Sequence, residues 1–349
     1  MTPAGAPVRT GHASGLHAVT RELAAMRGEL LRSGGGDQAV RLSVLTLVVA
    51  CADTAVAVEA VGTVERMAGS HPTRAIVVIA EPDAPPRLDA DLSIHCSAKR
   101  GDQVCVELVQ LEVGGETAFH LRSVVEPLLL PDVPVLLWLA GAPRLDQALS
   151  PGTLELCERL ILDSDAYPDP VPVLTALAQT AAAPGRVKPV GDLAWSRVRP
   201  WRELLGRAFD TPELRGFAQG VELAEIQSAG ASPGAGALLL AAWLRSRLDR
   251  PGFTVPEVQH ITGAGAGTGV VGMTVHAHRR DRVGRVEIRD DGGHRVTTVT
   301  VEGVMRGLSS TWTVAAETPS LAELVGGELQ EQGADPLYAA ALRTVAAAR

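Results

Sequence analysis

The chain has 349 residues, of which 46% are hydrophobic, 3% aromatic and 21% charged, and its formal net charge is −8. A chain of this length and apolar content can bury a sizeable core in one or two domains, which excludes an intrinsically disordered protein. The negative charge and the lack of a long basic run argue against a nucleic acid or an anionic membrane as the partner.

The N-terminal residues and the cysteines indicate the cellular compartment in which we expect the protein. Residues 1–14 (MTPAGAPVRTGHAS) hold no apolar signal-peptide core, and no apolar run approaches the roughly 20 residues that a membrane span requires. The chain has four cysteines and no CxxC motif, which is typical of a reducing compartment in which thiols stay free. We therefore expect a soluble cytoplasmic protein.

The first part of the chain predicts an α/β fold. After a leader (1–14) that we predict to be disordered, buried apolar runs alternate with helical segments, the order of βαβ units. The predicted strands are Val40–Ala52, Arg74–Ala80, Leu92–Ala98, Gln103–Val113, Val133–Leu139 and Leu160–Leu162. The predicted helices are His17–Arg32, Thr54–Gly69, Thr117–Leu130 and Val171–Ala183. We expect a mixed, largely parallel sheet with flanking helices over residues 15–210.

Residues 191–210 (GDLAWSRVRPWRELLGRAFD) predict an amphipathic helix that Pro200 breaks or restarts, with Asp192 as a suitable N-cap. Its apolar stripe consists of Trp195, Val198, Trp201 and Leu205. Three arginines, Arg197, Arg199 and Arg202, lie away from that stripe. Tryptophan beside arginine is the composition of an interface hot spot, so these five Trp and Arg residues are candidate partner-binding residues. The plainer interpretation, which we favour for the tryptophans, is that they belong to the core.

Beyond residue 210 the sequence predicts an α+β domain (211–349) with an antiparallel sheet. Short alternating segments between Gly-rich turns predict the strands Gly220–Gln227, Val270–His278, Arg285–Arg289, Arg295–Val301 and Gly307–Val314. The predicted helices are Ala235–Leu248, capped by Ser232, then Ser320–Gln332 and Pro336–Ala348.

A Gly-rich segment at 263–272 (GAGAGTGVVG) contains one G-x-G-x-x-G register, at Gly267, Gly269 and Gly272. A dinucleotide-binding loop follows a strand and opens a helix, whereas the residues after Gly272 continue as a strand. We therefore predict a loop before a hairpin. No nucleotide-binding, serine-hydrolase or zinc-protease motif is recognisable, so we predict no catalytic centre and no cofactor.

Three histidines are candidate zinc ligands. His276 and His278 share one face of a predicted strand, and His294 is a nearby third candidate. Neighbouring arginines would repel a cation, and no carboxylate is placed to orient the imidazoles. We therefore predict a solvated strand and no metal.

Cys96 and Cys105 are candidate redox residues. If Arg100 and Gly101 form a two-residue turn, Cys96 lies directly opposite Cys105 on the same face, within reach of thiol–disulfide exchange. The interpretation that we favour is two buried small apolar residues, because free cysteines usually behave that way.

Three runs of sequence resemble the glucose-6-phosphate dehydrogenase assembly protein family, OpcA. They are QVCVELVQLEVGG (103–115), HLRSVVEPLLLPDVPVLLWLAG (120–141) and GDLAWSRVRPWRELL (191–205). The residues that match the family's motifs are Cys105, Glu107, Pro127–Pro134, Trp138, Asp192, Trp195, Arg197, Pro200, Trp201 and Arg202. The resemblance covers residues 40–210 firmly and the C-terminal part loosely.

The resemblance implies a non-catalytic protein that binds glucose-6-phosphate dehydrogenase and promotes its active assembly in the oxidative pentose-phosphate pathway. Two alternatives stay open. One is an enzyme that acts on a sugar phosphate, with its site at the carboxyl ends of the first domain's strands. The other is a thiol switch at Cys96 and Cys105.

Overall fold

The computed structural model describes residues 9–348 except 34–39, 42, 69–70, 100–101, 183–188, 213, 264–268, 292–293, 303–307, 316–317 and 332. The chain groups into two compact units that interleave along the sequence. The first comprises Met1–Asp163, Lys188–Gly191 and Ser320–Gly333, and the second comprises Ser164–Val187, Asp192–Pro319 and Ala334–Arg349. The division near residue 210, made from the sequence, stays a prediction about independently folding domains.

The strands are β1 Arg9–Ser14, β2 Val40–Arg41, β3 Leu45–Cys51, β4 Thr73–Glu81, β5 Arg87–Lys99, β6 Asp102–Gly114, β7 Val135–Ala140, β8 Arg159–Leu162, β9 Val190–Asp192, β10 Val221–Ser228, β11 Glu257–Thr262, β12 Val270–Arg279, β13 Arg282–Asp290, β14 His294–Glu302 and β15 Leu308–Ala315. The helices are α1 Leu16–Ser33, α2 Thr54–Met67, α3 Leu121–Val125, α4 Leu145–Ala148, α5 Pro151–Leu156, α6 Pro170–Ala182, α7 Leu193–Arg197, α8 Arg199–Asp210, α9 Ala235–Leu248, α10 Leu321–Gln330 and α11 Pro336–Ala347. None of these described helices is long and apolar enough to cross a membrane.

The first unit is built on a mixed sheet with the strand order β1-β5-β6-β4-β3-β7-β8-β9, and β2 also pairs with β6. The neighbours from β6 to β8 are parallel, and the β1–β5 and β5–β6 pairs are antiparallel. The central strand β3 is buried on both faces, as expected for a parallel strand between helical layers. The predicted α/β class is confirmed.

Strand order reverses at β3. From β3 the chain passes through α2 to β4 on one side, and it later returns to place β7 on the other side of β3. In open α/β sheets, the crevice beyond the carboxyl ends of the strands at such a switch point is where ligands bind. Gly141 follows β7 with φ of 73°, and a Cβ there would lie 3.0 Å from Val56 Cγ2 of α2. A residue without a side chain lets the chain leave β7 against that helix.

Two predictions for the first unit need correction. Arg9–Ser14, assigned to the disordered leader, form β1 and pair antiparallel with β5, so the predicted leader is wrong beyond residue 8. The helix predicted over Thr117–Leu130 is instead a 3-10 turn at Gly115–Phe119, the short α3 and a second 3-10 turn at Glu126–Leu128. Pro127 lacks the N–H that a continuous helix would need there.

The second unit contains a six-stranded sheet with the order β11-β10-β12-β13-β14-β15. Its strands pair antiparallel except β10 with β11, which are parallel. Helix α8 packs on β13 and β14, and α11 packs against α6 and α9. The predicted α+β class is confirmed. The cap of α9 is Gly234 rather than Ser232.

A buried ion triad connects three elements of the first unit. Glu107 of β6 is fully buried, and its two carboxylate oxygens lie 2.7 Å from Arg74 Nε of β4 and 2.7 Å from Arg27 Nε of α1. Arg74 also donates to the backbone oxygen of Leu128 at 2.8 Å. Burial lowers the pKa of Arg74, and the carboxylate of Glu107 opposes that shift. The triad therefore fixes α1 on the sheet at the cost of burying charge.

Replacing Glu107 by Gln should destabilise the protein by about 3–5 kcal/mol, because the buried Arg74 would lose the carboxylate with which it pairs. The matched control is Glu112→Gln on the same strand, since Glu112 is 42% exposed and pairs with Arg87. Its unfolding free energy should change by less than about 1 kcal/mol. Denaturant unfolding monitored by circular dichroism measures both, and equal effects of the two variants would contradict the structural role of Glu107.

Candidate functional site

The carboxylate of Asp192 organises the start of the 191–210 segment in the second unit. Asp192 is 1% exposed and caps α7, its Oδ1 accepting from the backbone N–H of Ala194 at 3.0 Å. The same carboxylate accepts from the backbone N–H and the hydroxyl of Ser164 at 3.1 and 2.7 Å, and from the hydroxyl of Tyr338 at 2.9 Å. The predicted cap is confirmed, and the same carboxylate also binds groups from two other parts of the chain.

Trp195 of α7 is hydrogen-bonded to the N-cap residue of the last helix, α11. Its indole Nε1 donates to Asp335 Oδ2 at 2.7 Å, while Asp335 Oδ1 caps α11 by accepting from two backbone N–H groups. The ring of Trp195 lies 5.6 Å from the ring of Tyr338, centroid to centroid. Trp195 is only 4% exposed. It therefore packs as a core residue, and it joins α7 to α11 through one hydrogen bond.

Arg202 covers the outer side of Trp195. Its guanidinium carbon lies 3.3 Å from the centroid of the indole ring, and Nη2 donates to the backbone oxygen of Trp195 at 3.2 Å. Burial lowers the pKa of Arg202 to about 10, with Asp335 opposing the shift. Arg202 is thus cationic at neutral pH, and its guanidinium stacks on the indole ring of Trp195 in a cation–π contact.

Trp201 is also buried, 2% exposed, and the guanidinium carbon of Arg295 lies 5.0 Å from its ring centroid. Burial lowers the pKa of Arg295, and Asp290 opposes that shift. Trp201 and Trp195 therefore both belong to the interior of the second unit.

The five candidate partner-binding residues divide into two groups. The tryptophans are inaccessible, so a partner could reach only the arginines. Arg199 is exposed, Arg202 is half-buried, and Arg197 is half-buried with Nη1 3.9 Å from Asp165. A partner-binding role for the arginines stays a prediction.

Sequence reasoning missed the residues that position this segment. Ser164, Asp335 and Tyr338 come from distant parts of the chain, and nothing in the pattern around Trp195 points to them. The Asp-Pro pair at 335–336 was a usable signal for a helix start, because Asp caps and Pro suits the first turn, but it could not reveal the contact with Trp195.

Cys96 and Cys105 are joined by a disulfide in the first unit. They are directly opposite in the β5–β6 register, as the predicted turn at Arg100 and Gly101 requires, and their Cα atoms are 4.1 Å apart. The interpretation as two separate buried thiols, and the expectation that all four thiols stay free, are therefore wrong for this pair. Cys51 and Cys157 are buried and take no part in a disulfide. A redox function for the disulfide stays a prediction.

The histidines and the Gly-rich segment do not converge on a ligand site in the part of the chain that the structure describes. His276 Nε2 lies 3.5 Å from Glu225, and His278 Nε2 lies 3.5 Å from Glu222, on one strand face. His276 pairs with Arg285 of β13, which in turn pairs with Thr300 of β14. Thr300 is six residues from His294 along β14, a distance of roughly 20 Å. The residue Gly267 lies outside the described residues, and Gly272 lies within strand β12, as predicted.

A cavity of about 310 Å³ lies at the carboxyl ends of β3, β4 and β7, where the sugar-phosphate enzyme hypothesis placed an active site. Its lining consists of Ala50, Cys51, Val78, Ala80, Ala118, Phe119, Leu121, Leu139, Pro143, Arg144, Asp146, Ser150 and Thr153. Among the described lining residues there is no histidine, and the carboxylate of Asp146 is paired with Arg144 at 2.8 Å.

Replacing Trp195 by Phe should lower the unfolding free energy by about 1–3 kcal/mol, because Asp335 Oδ2 would lose its indole donor in a part-buried place. The matched control is Trp243→Phe, since Trp243 is half-buried on α9 and its indole has no hydrogen-bond partner among the described residues. Denaturant unfolding of both variants measures the difference. A larger loss for Trp243→Phe would refute the structural role assigned to the Trp195–Asp335 bond.

Two protein-family models match the chain. One, described as the glucose-6-phosphate dehydrogenase subunit N-terminal domain, matches residues 64–179, and the other, described as the C-terminal domain of that subunit, matches residues 188–342.

Similar curated proteins carry the name "Putative OxPP cycle protein OpcA". The Synechocystis sp. protein is 29% identical over 193 residues, which is 54% of this chain and 40% of that protein. The Synechococcus elongatus protein is 28% identical over 185 residues, or 52% of this chain and 41% of that protein. The chain therefore spans about two fifths of the length of the curated relatives that it matches. Because the two models together cover most of its residues, the chain belongs to the glucose-6-phosphate dehydrogenase subunit family, OpcA.

Proposed function

We propose that this protein is a non-catalytic partner of glucose-6-phosphate dehydrogenase, and that its binding favours the active assembly of that enzyme. The observation that carries the proposal is the match to both family models, whose descriptions are those of a subunit of this dehydrogenase. The names of the curated relatives, which refer to the oxidative pentose-phosphate cycle, support the same pathway. As the sequence predicts, we place the protein in the cytoplasm.

The chemistry of the described residues supports a binding role. Burial, with a contribution from Asp53, raises the pKa of Cys51 to about 12, so this thiol is no nucleophile at neutral pH. Cys96 and Cys105 form a disulfide with each other, so neither has a thiol that could act as a nucleophile. The described residues contain no group of three His, Cys, Asp or Glu side chains placed to hold a metal ion.

In the proposed mechanism, the protein shifts the conformational or oligomeric equilibrium of the dehydrogenase. A partner activates an enzyme by binding its competent conformation or oligomer more tightly than the other form, and a tenfold preference supplies ~1.4 kcal/mol of coupling. The proposed contact is the arginine side of the 191–210 segment, facing carboxylates of the dehydrogenase. The buried Trp195 and Trp201 would hold α7 and α8 in place, so that the exposed Arg199 is presented on a fixed surface.

A sugar-phosphate enzyme is the weaker candidate. A phosphate needs unpaired cations or free backbone N–H groups, and the arginine that lines the cavity at the strand ends, Arg144, is bound by Asp146 through two nitrogens. This observation favours the binding role.

The variant Arg199→Glu should weaken binding to the dehydrogenase about tenfold or more, because it places a carboxylate against the proposed carboxylate surface. The matched control is Arg21→Glu, a charge reversal at an exposed position of α1. Binding is measured by biolayer interferometry against the dehydrogenase of the same organism, with circular dichroism as the check on folding.

Two results would overturn parts of this proposal. Equal affinities of the Arg199 and Arg21 variants would remove the assigned contact while leaving the partnership intact. No complex between the parent protein and the dehydrogenase, together with unchanged dehydrogenase kinetics, would overturn the partnership itself.

A further inference from the structure

The cavity of the first unit occupies the position where open α/β sheets bind ligands. Its base is formed by the last residues of three adjacent parallel strands, including Cys51 of β3, Val78 of β4 and Leu139 of β7. These strands lie at the switch point, since β4 and β7 flank β3. A volume of about 310 Å³ is within the range of small-molecule sites.

The interior of the cavity is apolar and has an aromatic wall. Alanine, valine, leucine and proline side chains make up most of its surface. Phe119 lines the cavity and is 56% exposed, so its ring is accessible to a ligand. Ser150 and Thr153 lie at the rim, where their hydroxyls bond to each other at 3.0 Å. The lining therefore provides both apolar contacts and a few polar groups for a bound ligand that contains an aromatic ring.

The charges around the cavity are already neutralised. Arg144 donates from Nε and Nη2 to the two oxygens of Asp146, at 3.3 and 2.8 Å. Helix α2 begins directly beyond β3, where a dinucleotide-binding fold would place a phosphate. Here the carboxylate of Asp53 takes that place and accepts from the N–H of Val56 at 2.9 Å. A carboxylate at this helix start repels a phosphate, so the electrostatics exclude a dinucleotide or sugar phosphate.

We propose that the cavity binds a small uncharged ligand with a planar aromatic ring, held between Phe119 and the apolar ends of β3, β4 and β7. The ring would lie in the apolar interior, and its polar substituents would face Ser150 and Thr153 at the rim. This binding site is separate from the arginine contact proposed for the dehydrogenase and does not depend on it.

The test compares adenosine with adenosine monophosphate, two probes that share a planar ring and differ in one phosphate. Saturation-transfer nuclear magnetic resonance on the full-length protein should show adenosine binding with a Kd on the order of 1 mM or below. The monophosphate should bind no more tightly, because no unpaired cation lines the described part of the site.

Filling the cavity supplies the decisive variant. Ala80 lines the cavity and is exposed, so Ala80→Trp should place an indole in the mouth without disturbing the core. Adenosine affinity should fall about tenfold or more, because the apolar area that the ring would bury is already covered. Phe119→Ala should weaken binding in the same direction. The matched control, Ala25→Trp on an exposed position of α1, should bind like the parent.

Four outcomes would overturn this proposal. They are no adenosine binding by the parent, equal binding by the Ala80 and Ala25 variants, tighter binding of the monophosphate that is lost in Arg144→Ala, and loss of dehydrogenase binding in Ala80→Trp with adenosine binding retained. The last outcome would identify the cavity as a protein-docking site. None of the first three outcomes bears on the proposed partnership with the dehydrogenase.

Discussion

The buried carboxylate of Asp192 is the interaction on which the second unit's arrangement depends. It accepts from Ala194, from two groups of Ser164 and from Tyr338, so a single side chain connects the start of α7 to two other parts of the unit. An uncompensated buried carboxylate would cost several kcal/mol, and here hydrogen bonds from Ser164, Ala194 and Tyr338 compensate it. The direction of α7, and with it the burial of Trp195, follows from that arrangement.

The motifs that carry the family resemblance are explained by packing. In the GDLAWSRVRPWRELL run, Asp192 caps, Trp195 and Trp201 fill the interior, and Arg202 stacks on Trp195. In the QVCVELV run, Cys105 forms the disulfide, and Glu107, two residues further along β6, binds two arginines within the first unit. Residues of these types are often read as catalytic. Here their polar atoms are engaged in holding elements together, which fits a protein that acts through its surface.

Local pattern predicted the elements that have strong local signals. The β-branched apolar runs predicted β3, β4 and β7, and the two-residue turn predicted the register that places Cys96 opposite Cys105. Strands β1 (RTGHAS) and β11 (EVQHIT) were missed because they are polar edge strands without apolar alternation. Their pairing comes from β5 and β10, which is tertiary context that no local pattern contains.

The candidate sites were harder to predict, because they assemble from residues far apart in the chain. The sequence identified Trp195 and its arginines but not Asp335, 140 residues away, which accepts the indole hydrogen bond. The cavity at the strand ends is formed by small apolar residues that individually resemble core residues. Arg144 in its lining is neutralised by Asp146, and the carboxylate of Asp53 caps the start of α2 beyond β3; only the structure shows these pairings.

The most direct test of the central claim is sedimentation of the dehydrogenase of the same organism with and without this protein, with activity measured on the same samples. The account predicts a complex, a shift of the dehydrogenase toward its active assembly, and higher activity at subsaturating substrate. Turnover of glucose 6-phosphate or another sugar phosphate by the isolated protein, with no complex formed, would contradict it.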